Sequence, residues 1–129
     1  MSWDQYRDQL KAVESVTEAG IFGKDGSTWS KSDGMTITPE QIKVLCGDSK
    51  SMQACGPKIG NIKCMFLRDH RDDDQSYCMH LKTSESDGKL AVCVGETKQA
   101  IVVVFGSGLG SLLSGPVFKI VDYLRKSNF

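Results

Sequence analysis

Ala100-Ile101-Val102-Val103-Val104-Phe105 is apolar at both parities of a β-strand. Successive strand side chains point to opposite faces, so a run without polar alternation marks a strand covered on both sides. Helical layers are therefore expected above and below the sheet that contains it. Upstream, Ile62 to Arg68, Tyr77 to Thr83 and Lys89 to Gly95 are three further strand-length runs, and the fourth is Gln99 to Phe105. Short polar connections join them. Antiparallel neighbours follow, because a parallel pair needs a crossover of about a dozen residues or more.

The covering helices can be placed. Downstream, Ser114 as cap and Pro116 in the first turn start a helix that runs to about Lys126, with Val117, Ile120, Val121 and Leu124 as its buried stripe. At the other terminus Ser2 is an N-cap, Gln5 occupies the capping-box position and Asp4 complements the helix dipole. Trp3, Tyr6, Leu10 and Val13 then form one stripe, in which Leu10 and Val13 anchor the helix. Trp3 and Tyr6 admit two readings: core, or an accessible pair with half-wet polar tips. A third helix begins at Thr38-Pro39-Glu40-Gln41, with Ile42, Leu45 and Cys46 inward and Gly47 at its end. The architecture expected is an α+β fold, an α/β/α sandwich. Its central antiparallel sheet carries the N- and C-terminal helices on one face and small helices near residues 39 to 55 on the other.

Between the first helix and the third, Val16 to Phe22 is a short apolar segment. Asp25-Gly26 then reads as a hairpin turn, since both residues tolerate the positive φ of primed turns. Trp29 projects from the short strand that follows. If the terminal helices pack side by side, Trp3, Tyr6, Trp29, Tyr123 and Phe129 converge in one shallow aromatic groove.

Bulk properties bound the function. The 129 residues suit a single domain spanning 1–129, able to bury about two thirds of its unfolded surface. Sixteen basic and 16 acidic residues cancel, so there is no electrostatic case for nucleic acid as a partner. Five cysteines, Cys46, Cys55, Cys64, Cys78 and Cys93, contain no CxxC pair, which disfavours zinc. No secretory signal begins the chain, and no apolar run approaches the ~20 residues that span a bilayer. The expectation is a soluble intracellular protein with free thiols.

Catalytic constellations are sparse. His70 lies in the polar run Arg68-Asp69-His70-Arg71-Asp72-Asp73-Asp74, which reads as a solvated hairpin loop rather than a base or a calcium loop. His80 shares strand parity with Cys78 and Lys82, so a Cys-His dyad is geometrically conceivable, although no orienting acid accompanies it. Gly106-Ser107-Gly108-Leu109-Gly110-Ser111 follows a strand but runs GxGxG without a Walker lysine, and too few residues remain for a βαβ unit. It reads as a turn. No metal or other cofactor is expected, and a binding module is favoured over an enzyme.

Several stretches together resemble the profilin family: Ser2-Trp3-x-x-Tyr6-x-Asp8-x-Leu10, Trp29 after a hairpin, Thr38-Pro39-x-x-Ile42, Lys63-Cys64-x-x-x-Arg68, Thr97-Lys98-Gln99 before an apolar strand, and Tyr123-Leu124 near the end. The resemblance covers the whole chain in order and implies the same layered fold. It also implies two partners, monomeric actin and proline-rich segments of actin assembly factors, and a cytoplasmic, cytoskeletal location. Carried over position by position, Trp3, Tyr6, Trp29 and Tyr123 match the polyproline groove, with Leu124 and Phe129 flanking. Phe129 stacks without a hydroxyl. For actin the resemblance points to Lys63, Arg68 and Lys82 on the strands and to Ser114 to Lys119 on the last helix.

Strict alternation would place Lys63 and Arg68 on opposite faces, so Arg68 must lie at the strand end or past a bulge. Gly115-Pro116 stands where the family often has charged residues, which implies a weaker actin affinity. Phosphoinositide binding is a further family property, for which Lys63, Arg68, Lys82, Arg125 and Lys126 are the candidates. The alternatives are a phosphoinositide and proline-rich signalling adaptor with weak or lost actin binding, and a small enzyme using Cys78 and His80.

Overall fold

The computed structural model describes residues 3–47, 49–73, 76–84, 88, 90–107 and 111–129. In chain order these form α1 (Trp3–Lys11), β1 (Val16–Gly23), β2 (Thr28–Lys31), α2 (Pro39–Leu45), α3 (Ser49–Cys55), β3 (Lys58–Ile59), β4 (Ile62–His70), β5 (Cys78–Thr83), β6 (Ala91–Glu96), β7 (Ala100–Gly106) and α4 (Ser111–Lys126). The strands make one seven-stranded antiparallel sheet in the order β2-β1-β7-β6-β5-β4-β3. β7 is buried at every position. Val102 and Val104 join Leu10, Val117 and Val121 in the cluster beneath α1 and α4, whereas Ile101, Val103 and Phe105 join Ile42, Leu45 and Met52 beneath α2 and α3. Both parities of the strand are thus covered by helices, each side chain contributing about 1.5–3 kcal/mol of burial. The α+β sandwich read from the sequence is the observed architecture.

Local signals account for most boundaries. Thr38 caps α2, with its side chain accepting from Gln41 N–H and the Gln41 side chain accepting from Thr38 N–H, and Pro39 opens the helix. The Ser2 cap of α1, Asp74 and Gly108 to Gly110 lie outside the described residues. α4 corrects the expected start: it begins at Ser111, so Ser114 is not its cap and Pro116 falls inside the helix. Leu113 is fully buried, and its burial favours the extra turn. A proline this early removes one backbone bond, a smaller loss than leaving Leu113 in water. At β6 the same helix meets bare backbone. A Cβ at Gly95 would stand 2.5 Å from Val121 Cγ2 and 2.6 Å from Val117 Cγ1, so only glycine admits α4 at this depth.

Other expectations are revised by tertiary contacts. α1 ends at Lys11, leaving Val13 beyond the helix and only half-buried. β4 runs on through His70, which pairs with Cys78, so His70 belongs to a strand rather than a loop. Arg71, in the run read as solvated, is only 8% exposed. It donates to both Asp69 carboxylate oxygens, to Glu96, and to the carbonyls of Leu45 and Gly47. One guanidinium thereby satisfies the open end of α2 and ties it to β4 and β6. In the β1–β2 turn only Gly26 takes a positive φ, 100°, so the turn is not primed as expected. Asp25 accepts from the Ser27 N–H instead.

The C-terminus is held by the β6–β7 turn. Thr97 Oγ1 accepts from Ala100 N–H at 2.9 Å and lies 2.8 Å from the Phe129 carbonyl. Gln99 N–H donates to that carbonyl, and Gln99 Nε2 donates to Asn128 O at 2.8 Å. Thr97→Val would leave the Ala100 N–H buried without its acceptor. We expect a loss of about 1–3 kcal/mol, read as a lower urea midpoint at unchanged m-value; an unshifted midpoint contradicts this role.

His80 of β5 is 6% exposed, and its Nδ1 is buried without a partner among the described residues. Burial foremost, then Arg68 and His70, hold its pKa below the usual histidine range. The unfolded chain therefore binds this proton at higher pH than the folded one. Stability should be greatest above about pH 6.5 and fall as the pH drops through the window down to the folded pKa. His80→Gln is expected to flatten the fall of the urea midpoint as the pH drops below about 6.5; an identical slope in the variant excludes His80 as the source.

Candidate functional site

The five aromatics expected to converge do so where the two chain ends meet β2. Trp3 is central: its ring centroid lies 4.6 Å from Trp29, 5.2 Å edge-on from Phe129 and 5.8 Å from Tyr6. Tyr6 in turn lies 6.1 Å from Tyr123. Polar ties set this arrangement. Ser30 of β2 donates to the Asp4 carboxylate, and Arg7 donates to Lys31 O, fixing the first turn of α1 against the strand that carries Trp29. Asp4, read as a dipole complement, also has this tertiary partner. Tyr123 and Phe129 are 49% and 41% exposed, so the groove opens to solvent along that side.

Two groove assignments need correction. Tyr6 is 8% exposed, not accessible, because Trp3 and Tyr123 lie against it. Its phenol is pushed up by burial first and then by hydrogen bonding with Tyr123. Tyr6 supports the groove from below. Leu124 is 1% exposed and belongs to the core beneath α4, so it flanks nothing at the surface. Ser27 was missed: its Oγ accepts from Trp29 Nε1 at 3.1 Å. Its turn position gave no signal of that role.

A second surface lies across β4 and β5. Their register shifts between Phe66 and Arg68, pairing Met65 with Lys82 and Arg68 with His80. Of the two placements left open for Arg68, at the strand end or past a bulge, the one found is past the bulge. It brings Lys63, Met65, Arg68, His80 and Lys82 to one face, the α1 and α4 side of the sheet. Lys63, Arg68 and Lys82 are exposed, and Met65 is 58% exposed between them. On α4, Lys119 is exposed and Ser114 half-buried. Ser114 lies one turn before Phe118, which stacks on Tyr77 at 6.0 Å.

Arg125 is not available as a free headgroup cation. Its guanidinium donates twice to Glu96 O, at 2.9 and 2.6 Å, and lies 3.7 Å from the Tyr77 ring centroid. Tyr77 adopts φ 55°, uncommon for a bulky residue and invisible in the sequence. Lys126 pairs with Asp122 at 2.8 Å, which raises its pKa.

The conceivable dyad is not assembled. Cys78 Sγ lies 3.0 Å from Ser76 O and hydrogen-bonds with Cys93, not with His80. That bond holds the Cys78 thiol below its usual range and, with burial, pushes Cys93 well above it. Both thiols are fully buried, out of reach of a substrate. Among the described residues no helix is long and apolar enough to cross a membrane.

Comparison with known proteins agrees with this geometry. The profilin family model matches residues 1–129. Human profilin-1 is 32% identical over 137 aligned positions, covering 98% of each chain, and profilin-1B of Acanthamoeba castellanii is 31% identical over 135, covering 100% of each. Among solved structures, mouse profilin IIa in complex with a double repeat from the FH1 domain of mDia1 superposes with a TM-score of 0.89 at 28% identity, covering 100% of both chains. Rat profilin 2a gives 0.86 at 29% identity, over 98% of this chain and 96% of that one. With a family match over its full length and the family's layered sheet in place, the chain belongs to the profilin family.

Proposed function

We propose that this protein binds monomeric actin, regulates its polymerisation in the cytoplasm, and docks proline-rich segments of partner proteins through the aromatic groove. The observation that carries the reading is the Trp3 ring set between Trp29 and Phe129 beside an exposed Tyr123. A polyproline II strand is extended before it binds, so little conformational entropy is lost. Its pyrrolidine rings lie flat on aromatic faces, and its unpaired carbonyls accept from indole N–H and phenol O–H donors. The complex of mouse profilin IIa with an FH1 repeat supports this use of the fold. Tyr6 acts from beneath, as the floor on which Tyr123 rests.

For actin, the supporting feature is the face shared by Lys63, Arg68 and Lys82, with Met65 as an apolar centre and the Ser114 to Lys119 side of α4 nearby. An apolar centre within a charged rim is the common anatomy of a protein interface. The same three cations would attract a phosphoinositide headgroup, in competition with actin; Arg125 and Lys126 add less because both are engaged within the fold.

Titrating decaproline should change tryptophan fluorescence, and Trp3→Ala should weaken binding about tenfold or more. A native protein whose emission ignores the peptide would sink the groove reading. At micromolar concentration the protein should slow spontaneous actin nucleation in a pyrene assay. Arg68→Glu with Lys82→Glu should reduce that inhibition about tenfold and weaken its salt dependence; full inhibition by the double variant would move the actin site elsewhere.

A further inference from the structure

Trp29 does not present its indole N–H as an open donor. Nε1 donates to Ser27 Oγ at 3.1 Å, and Ser27 Oγ gives its one proton to Asp25 Oδ1 at 2.6 Å. The Ser27 N–H donates to the same carboxylate oxygen at 3.0 Å. The direction of the chain is therefore fixed: indole to hydroxyl to carboxylate, each bond polarising the next. These bonds to Ser27 also hold the Asp25 carboxyl below its usual range, keeping the acceptor ionised.

The site is built to admit this chain. A Cβ at Gly23 would stand 2.6 Å from Ser27 Oγ, 2.7 Å from Asp25 Oδ1 and 2.9 Å from Trp29 Nε1, so the three polar atoms converge over bare backbone. Trp3 differs. Its indole nitrogen makes no such bond among the described residues, although its ring lies 4.6 Å from that of Trp29.

We propose that Asp25 and Ser27 are positioning residues that hold Trp29 as a stacking wall with its N–H engaged away from the ligand, leaving Trp3 and Tyr123 as the donors to a proline-rich strand. This rests on the polyproline reading of the groove. Trp29 then recognises the flat face of a pyrrolidine ring and is indifferent to where the ligand carbonyls fall. Register is read at Trp3 and Tyr123.

The test uses decaproline and the indole N–H resonances, assigned with Trp29→Phe. In the free native protein the Trp29 indole proton should lie downfield, and Ser27→Ala should move it upfield at unchanged melting temperature. Adding decaproline should shift the Trp3 indole proton downfield while Trp29 stays near its free position. Ser27→Ala should bind decaproline about fivefold more weakly, the equivalent of one net hydrogen bond, with Ser27→Thr restoring affinity. If the native protein binds and Ser27→Ala matches it within about twofold, or if the Trp29 proton follows that of Trp3 downfield, this inference alone falls. If the native protein does not bind decaproline, the groove reading falls with it.

Discussion

The structure depends on how closely α4 can approach the sheet. Val117 and Val121 sit against β6 where Gly95 offers no side chain, and every other contact of the helix is set by that depth. On one side it brings Tyr123 against Tyr6 and delivers the chain end to the β6–β7 turn. On the other it stacks Phe118 on Tyr77 and lays Arg125 over the same ring. Both surfaces assigned to partners therefore share one rigid support. A side chain at Gly95 would lift α4 and disturb the two together.

The groove is made from the parts of a chain that ordinarily fray: a first turn, a hairpin strand and the final residue. Packing of rings alone would leave it loose. Directional bonds hold it instead, from Ser30 to Asp4 at one end and from Thr97 and Gln99 to Phe129 at the other. A surface held in this way loses little entropy when an extended ligand arrives. Tyr6, sealed beneath, contributes by filling volume and meeting the Tyr123 hydroxyl.

Much of this was legible in residue order. The two-sided burial of β7 follows from Ala100 to Phe105 and the α2 cap from Thr38 and Gln41, while the odd spacing of Lys63 and Arg68, set beside the family resemblance, left either a bulge or a strand end for Arg68. Period and propensity act locally, and those features are local. What escaped depends on partners distant in sequence: Arg71 is buried because Leu45, Gly47 and Glu96 supply its acceptors, and Arg125 is engaged because Glu96 O faces it. Nothing near either arginine signals this. The start of α4 was misplaced because Ser114 and Pro116 fit a helix start, while the burial of Leu113 set the boundary. Tyr6 reads as accessible because a stripe fixes direction on a helix but not the depth at which a neighbour covers it, whereas the stripe of α4 puts Leu124 in the core, where it is found, and only the resemblance set it beside the groove.

The bulge between Phe66 and Arg68 makes the charge of the β4 face a property of phase rather than of composition. Upstream residues count in one frame and downstream residues in the other: Met65 and Arg68 are three apart, yet both face the α1 and α4 side because Leu67 is the extra residue. Deleting Leu67 would restore plain alternation with Arg68 still opposite His80 and the net charge still zero. A strand that kept all its residues but lost the bulge would instead carry Lys63 and Arg68 on opposite faces. The extra residue and the odd spacing of the two cations thus belong together: losing the bulge without losing a residue would invert the proposed binding face, whereas substitutions only adjust its strength.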